Sequence, residues 1–255
     1  MRALWIADAH LSDPSSGPYR SLQELLHRYL KEMDCLVLLG DLFEIWIGDN
    51  AFLVSKHRPL LDLLVAIRKR GTEVFYLKGN HDFLLGNLIS RTIGSLIFEE
   101  EAVFQWDGYR FFASHGDQVN KKDYGYRILK ALLRSHWIER AVGLAGDSKS
   151  YWIAQHLARV ARGGSSEKKT RVAQSLAFRY ARDRLNEQYD AVILGHSHIL
   201  QSYVFTVRGR RRVYLNPGSW SDSCTYLWYH EGKFQIFQHR DAQPRILFDF
   251  DFSLD

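Results

Sequence analysis

Five short clusters of Asp, His and Asn recur along the chain: Asp8-Ala9-His10, Gly40-Asp41, Gly79-Asn80-His81-Asp82, His115-Gly116-Asp117 and Gly195-His196-Ser197-His198. Imidazole, carboxylate and amide oxygen are donors for Mn, Fe or Zn, and the lack of thiolate speaks against a structural zinc site. Two ions about 3.5–4 Å apart need a shared ligand, which a carboxylate can supply. Such a pair lowers the pKa of a bound water, clamps phosphoryl oxygens and neutralises charge as phosphorus becomes five-coordinate. Each cluster alone is a weak signal, because a single His at a strand end is more often an ordinary hydrogen-bonded residue. Five in order are a strong one. Five of the eleven histidines fall in these clusters, while His27, His57, His136, His156, His230 and His239 are scattered and read as ordinary.

Positioning such groups requires strands that end where the clusters begin. Leu4–Ala7, Leu36–Leu39, Val74–Leu77, Phe111–Ala113 and Ala191–Leu194 are short apolar runs, each followed directly by a cluster or by a single residue before it. Buried strands with loops at their carboxyl ends have this form, and α/β proteins place their sites in such loops. Helical spacing of leucines over Ser21–Lys31 and Leu60–Lys69 makes the early pattern strand–helix–strand, which implies an α/β domain with sheets inside and helices outside. Further strands are expected at Tyr203–Val207, Arg212–Leu215, Thr225–Tyr229 and Phe234–Phe237, with hairpin turns at Gly209 and Glu231-Gly232.

Residues 119–189 break the pattern. Strand signal is sparse there, and Tyr126, Leu129, Lys130 and Leu133 fit one helix. Trp152, His156 and Val160 fit a second. A third helix is expected to open at a Ser165 or Ser166 cap, carrying Glu167 in its first turn and Val172, Leu176 and Tyr180 on one face. This segment holds 15 Lys/Arg against 6 Asp/Glu, a net charge of +9 in a chain of net +5. Residues 1–118 and 190–255 are therefore expected to form the core, and 119–189 a basic helical cap inserted into it. Positive charge there suits an anionic substrate, an anionic membrane surface or nucleic acid, against the plainer reading of a solvated helical surface.

Composition bounds the rest. Apolar residues at 46% suffice for a sizeable core. Cys35 and Cys224 cannot build a disulfide framework, and no apolar run approaches the ~20 residues of a membrane span. Met1 to His10 turns polar too soon for a signal peptide, so a cytoplasmic location is expected.

The ordered motifs D-x-H, G-D, G-N-H-D, H-G-D and G-H-x-H resemble the calcineurin-like metallophosphoesterase superfamily. That resemblance implies a four-layer αββα sandwich with the site at its edge. It implies that Asp8, His10, Asp41 and His198 hold one metal, that Asp41, Asn80, His115 and His196 hold the second, and that Asp41 bridges them. It also implies two divalent ions, Mn²⁺ foremost.

A narrower resemblance rests on Gly40-Asp41-Leu42-Phe43-Glu44-Ile45-Trp46-Ile47-Gly48-Asp49, on Phe83-Leu84-Leu85-Gly86 and on the helical insertion. These look like the UDP-2,3-diacylglucosamine diphosphatases of lipid A synthesis. The resemblance implies hydrolysis of a diphosphate by metal-activated water, giving UMP and 2,3-diacylglucosamine 1-phosphate. It implies a cap that holds acyl chains beside the metals. By the same resemblance Asn80, His81 and Asp41 take catalytic roles, and Asn80, His81, Asp123, Ser165, Lys168 and His196 contact substrate. A UDP-linked diacyl sugar lipid and the cytoplasmic face of the inner membrane, held peripherally, are the expected partners. No obligate protein partner is evident. Anions favour a helix N-terminus, which suits Ser165, Ser166 and Lys168.

Two departures keep a second substrate class in view. His81 stands where members of the narrow family have Arg, while the wider superfamily has His, often as a proton donor. A phosphate leaves with little protonation, whereas an alkoxide needs an acid. Asn216-Pro217-Gly218-Ser219 resembles a loop of other phosphodiesterases in the superfamily, and equally fits a plain turn. The alternative is thus a related metallophosphoesterase acting on another nucleotide, phosphomonoester or phosphodiester. A nucleic-acid reading would use Trp137, Tyr151, Trp152 and Tyr180 as stacking platforms, but their helical spacing favours packing. Tyr126, Leu129, Leu133, Trp137, Trp152 and Val160 are the expected acyl-chamber lining, with packing of the cap onto the body as the competing role.

Overall fold

The computed structural model describes residues 1–48, 50–120, 146–147, 149–152, 155–156, 167–240 and 243–254. Its first half alternates strands and helices: β1 (Arg2–Ile6), α1 (Gly17–Tyr29), β2 (Cys35–Leu38), β3 (Trp46–Ile47), α2 (Ala51–Lys56), α3 (Arg58–Lys69), β4 (Glu73–Leu77), β5 (Asp82–Leu84), α4 (Gly86–Ile93) and β6 (Leu96–Phe98). A hairpin of β7 (Glu101–Trp106) and β8 (Tyr109–Ser114) follows, then α5 (Glu167–Asn186), β9 (Ala191–Leu194), β10 (Leu200–Val207), β11 (Arg210–Pro217), α6 (Trp220–Ser223), β12 (Thr225–His230), β13 (Lys233–Gln238) and β14 (Arg245–Asp251).

Two main sheets result, of order β14-β13-β12-β1-β2-β4-β6 and β10-β11-β9-β8-β7. In the first, β1, β2, β4 and β6 run parallel while β12, β13 and β14 form an antiparallel meander. In the second, β8, β9 and β11 run parallel.

The period-2 alternation of side chains explains the layering. From β1 and the residue after it, Ala3, Trp5 and Ala7 point into the space between sheets, where they meet Val37, Phe111, Ile193, Leu215 and Phe234. Leu4 and Ile6 point the other way, onto Leu22, Leu25 and Leu26 of α1 and Leu60, Leu64 and Ile67 of α3. In the second sheet Phe112, Val192, Leu194 and Tyr214 face outward against Ala177, Ala181 and Leu185 of α5. The order is helix, sheet, sheet, helix, as expected for αββα. Trp5, fully buried, meets Phe104 and Phe234 edge-on at 5.3 and 6.4 Å. Trp5→Ala in such a site costs about 3–5 kcal/mol.

Several bounds differ from the sequence reading. Helix α1 starts at Gly17 rather than Ser21, and α3 at Arg58 rather than Leu60. In both, a proline (Pro18, Pro59) occupies the first turn, where its fixed φ suits the helix and its missing N–H is not needed. Strands β7 and β14 were not anticipated; both lie at sheet edges, where one face is solvent and the apolar pattern is thin. Within the segment 119–189, α5 is seen to pack on the second sheet. Tyr126, Leu129, Leu133, Trp137 and Val160 lie outside the described residues. Trp152 is 70% exposed and stacks on His156, so it does not pack onto the body. Tyr180 leans on Phe112 and does pack. No helix among the described residues is long and apolar enough to cross a membrane.

Candidate metal centre

Strands β1, β2, β4, β8 and β9 end on one edge of the sandwich, and each delivers a cluster there. Backbone hydrogen bonds join the clusters directly: Asp8 N donates to Gly40 O at 3.3 Å, His10 N to Asp41 O at 2.9 Å and Gly195 N to His115 O at 2.9 Å. The turns that aim the side chains are sharp. Asp8, His10, Asp41, His196 and His198 have φ of +50°, +42°, +53°, +66° and +58°. Non-glycine residues rarely adopt this region, and local strain of this kind concentrates at functional sites.

The geometry brings together the seven expected ligand side chains and His81. Asp41 Oδ2 lies 3.4 Å from His115 Nε2 and 3.8 Å from His10 Nε2. Asn80 Oδ1 lies 3.0 Å from His115 Nε2 and 2.7 Å from His196 Nδ1. His10 Nε2 and His198 Nε2 are 3.0 Å apart, and the latter is 3.7 Å from Asp8 Oδ1. The His81 ring stands edge-on to His10 at 4.7 Å.

Supporting contacts set which ring nitrogen faces inward. His115 Nδ1 donates to the Leu39 carbonyl and His81 Nδ1 to the Glu44 carbonyl, both at 2.7 Å. Glu44 is held in reach because the loop after Asp41 is stitched on both sides: Glu44 N donates to Leu11 O, and Trp46 N donates to His81 O. Short strands β3 and β5 pair across the same seam. Asp82 Oδ2 accepts from the N–H groups of Asp41 and Gly79 at 3.1 and 2.9 Å, while Tyr76 donates to Oδ1.

Sequence reasoning assigned no role to Asp82, which acts through backbone, or to Asp222, whose Oδ2 accepts from His198 Nδ1 at 3.1 Å. It left the Asn216–Ser219 loop open between turn and function. In the structure the buried Asn216 Nδ2 donates to Gly195 O and Ser197 Oγ, and Ser219 Oγ donates to Asp8 O.

Glycines leave room for this crowding. A Cβ on Gly79 would lie 2.1 Å from Asp41 Oδ1, and one on Gly40 2.6 Å from His115 Nδ1.

Burial dominates the electrostatics. It pushes Asp8 up to about 6, against His115 and His198, and it pushes His10 down to about 3 and His196 down to about 4. Burial also opposes charge on His115, but Asp41, Asp8 and Asp117 outweigh it and hold the ring up at about 10. Burial likewise acts to raise Asp41, yet His115 and His81 overcome it and hold the carboxylate well below its usual range.

This donor set fits a cation. Asp8 Oδ1 and Asp41 Oδ2 are buried without a hydrogen-bond partner among the described residues. With Nδ1–H of His115 committed to Leu39, its neutral Nε2 presents a lone pair toward two further acceptors, Asn80 Oδ1 and Asp41 Oδ2. Converging acceptors are stable only around positive charge. For the polypeptide by itself a proton on His115 supplies it. The ligand atoms of Asp8, His10 and His198, of His10, Asp41 and His81, and of Asp8, Asp41 and His115 form groups within 4.8 Å of one another. Of the remaining substrate residues expected from sequence, Lys168 falls within α5, and Asp123 and Ser165 lie outside the described residues.

Residues 1–200 match the family model described as calcineurin-like phosphoesterase. A UDP-2,3-diacylglucosamine hydrolase of Aeromonas salmonicida is 30% identical over 244 residues, covering 93% of this chain and 93% of its own. One of Photorhabdus laumondii is 27% identical over 91% of this chain and 93% of its own. Among solved structures, an archaeal phosphodiesterase superposes over 97% of this chain and 99% of its own, with a TM-score of 0.43 and 13% identity.

Proposed function

The chain belongs to the calcineurin-like phosphoesterase family, and on that premise we propose that it hydrolyses the diphosphate bond of UDP-2,3-diacylglucosamine to UMP and 2,3-diacylglucosamine 1-phosphate. The observation that carries the substrate is the reach of the likeness to a UDP-2,3-diacylglucosamine hydrolase. At 93% of both chains it runs through residues 119–189 as well as through the ligand clusters. A diphosphate joined to two acyl chains needs positive charge beside apolar surface, and the segment 119–189 supplies a net charge of +9 with Trp152 exposed in it.

Asp8, His10, Asp41 and His198 would hold one divalent ion, and Asp41, Asn80, His115 and His196 a second, with Asp41 shared. Two such ions, Mn²⁺ foremost, supply acidification of water and neutralisation of phosphoryl charge. Asn80, through its amide, and His196 hold the phosphoryl group in line. His81, with Nδ1–H fixed on Glu44 O, turns Nε2 to the substrate and, when protonated, donates there to a phosphoryl or leaving oxygen. Water adds to one phosphorus and the bridging oxygen departs with the other phosphate. Asp123, Ser165 and Lys168 contact the substrate from the cap. The cap's charge draws the enzyme to the anionic cytoplasmic face of the inner membrane.

His81 supports a second reading, a phosphomonoesterase or phosphodiesterase acting on another nucleotide, because an acid at that place serves an alkoxide leaving group. The deciding assay follows UMP release from the lipid nucleotide beside turnover of a generic diester, each with Mn²⁺. Turnover of the diester with none of the lipid nucleotide would replace the first reading by the second.

A further inference from the structure

The segment after the last ligand cluster grips one side of the centre at two independent points. Its first residues hold Asp8 and the residue before it: Trp220 N donates to Ala7 O at 3.0 Å, Ser221 N to Asp8 O at 3.3 Å, and the Ser219 hydroxyl Oγ to Asp8 O at 3.0 Å. Its side chain Asp222 holds His198, with Oδ2 3.1 Å from Nδ1. Asp222 is steadied in turn by Ser221 Oγ at 3.3 Å, and Ser221 Oγ lies 2.7 Å from Ser219 Oγ. Both groups so held, Asp8 and His198, face the same spot, with His198 Nε2 3.7 Å from Asp8 Oδ1.

Resting on the two-ion reading above, we infer that Asp222 is a positioning residue that fixes His198 as the Nδ1–H tautomer and so commits its Nε2 to the Asp8-side ion. A free imidazole in water distributes its proton over both nitrogens, and its ring turns about χ2. A carboxylate on Nδ1 removes both freedoms and makes Nε2 a stronger donor to the ion. His115 and His81 obtain the same service from backbone carbonyls, Leu39 and Glu44. His198 is half exposed and follows the last strand of the clusters, so among these three rings it alone draws this service from a side chain. An exposed ion pair ordinarily contributes little to folding. The effect is therefore expected on the ion, and on one ion only.

The test titrates Mn²⁺ into the metal-free full-length chain, native, Asp222→Ala and Asp222→Asn, by calorimetry and by the loss of the free-ion electron-resonance signal. Removal of an outer-shell partner of this kind weakens binding about 10–100-fold. Asp222→Ala is expected to weaken one binding step by that factor and leave the other unchanged. Asp222→Asn, whose amide oxygen still accepts from Nδ1–H, is expected to retain most of the affinity. Long-range proton–nitrogen correlation spectra of the metal-free protein read the tautomer directly, showing His198 as Nδ1–H in the native chain and mixed in Asp222→Ala. An unchanged tautomer, or native affinity for both ions in Asp222→Ala, would overturn the inference. Fewer than two bound ions in the native chain would instead overturn the two-ion reading, and the tautomer would still decide the role of Asp222. With Asp222 63% exposed, either substitution leaves the core intact.

Discussion

Asp41 Oδ1 accepts the backbone N–H of His81 at 2.8 Å, which leaves Oδ2 to face His10 and His115. One carboxylate thus has one oxygen committed to the chain and one to the centre. The commitment fixes the carboxylate plane, so the inward oxygen sits between the imidazoles of His10 and His115. Asp41→Ala removes the carboxylate proposed to be shared. It is expected to abolish binding of both ions and to lower turnover by more than about 10³-fold, beyond the 10²–10³ that loss of one transition-state donor costs. Metal content by elemental analysis and turnover on one preparation check it, and full activity in that variant would refute the bridging role.

Gly79→Ala places a methyl group 2.1 Å from Asp41 Oδ1. Either the backbone of the Asn80 turn moves or Asp41 rotates away. A loss of about 1–3 kcal/mol in stability, with weaker binding of both ions, is the expected outcome. Thermal melts with and without Mn²⁺ separate the two: the shift in Tm on adding Mn²⁺ should shrink, and a native-sized shift would show Asp41 undisturbed.

His81 is where the two substrate readings diverge. Removing a general acid costs about 10²–10⁴-fold where the leaving group needs a proton. His81→Ala is expected to lose that much on an alkyl phosphodiester and distinctly less on the lipid nucleotide. Equal losses on both would mean that His81 acts on the phosphoryl oxygens alone.

His57 is buried, 2% exposed, against Tyr19 and Phe43. Burial first, and Lys56 second, push its pKa down from 6.5 to about 3. The unfolded chain then binds a proton between those values that the folded chain refuses. Its contribution to stability is whole above about pH 6.5 and is lost as pH falls toward 3. Tm of the chelator-treated protein should fall across that window, and His57→Phe should flatten the fall. An unchanged slope would remove His57 from the account, leaving His10 and His196, which shift in the same direction.

Asn50 joins the basic segment to the body. Its side-chain oxygen accepts from Leu53 N at 3.0 Å and caps α2, while its Nδ2 donates to Asp147 O and Ser150 Oγ at 2.9 and 3.0 Å. Asp147 Oδ2 returns the contact by accepting from Ala51 N at 3.0 Å. Asn50→Ala should cost about 0.5–2 kcal/mol, the usual range for a lost cap, and speed proteolysis within residues 119–189 more than elsewhere. Cleavage at an unchanged rate there would show that other contacts hold the segment.

The convergence of these side chains was legible because they carry their chemistry themselves and follow runs such as Ala191–Leu194, which are buried on both faces and so apolar throughout. The places of the inner strands followed for the same reason, though only Ala191–Leu194 kept its expected bounds. The sequence placed Asp82 in a cluster and Asn216 in a suspect loop but not their roles, because they act through the N–H groups of Asp41 and Gly79 and the carbonyl of Gly195, and no pattern of side chains marks a backbone partner. Asp222 stands 24 positions after His198, and only the hairpin of β10 and β11 brings it back. Trp152 follows helical spacing yet stays exposed, since spacing shows which residues share a face and not what that face meets.

Five of the seven proposed ligands sit on backbone of positive φ. The strands that lead into those turns are packed by hydrophobic cores that include none of these side chains. Capture is therefore expected to ask no rearrangement of the main chain, its speed being set by how fast a hydrated ion sheds water. Manganese, which exchanges water quickly, should load in the time of mixing, and nickel, which exchanges slowly, should lag behind it. A chain selecting among metals by rate before it selects by affinity would take whichever labile ion its surroundings hold in excess.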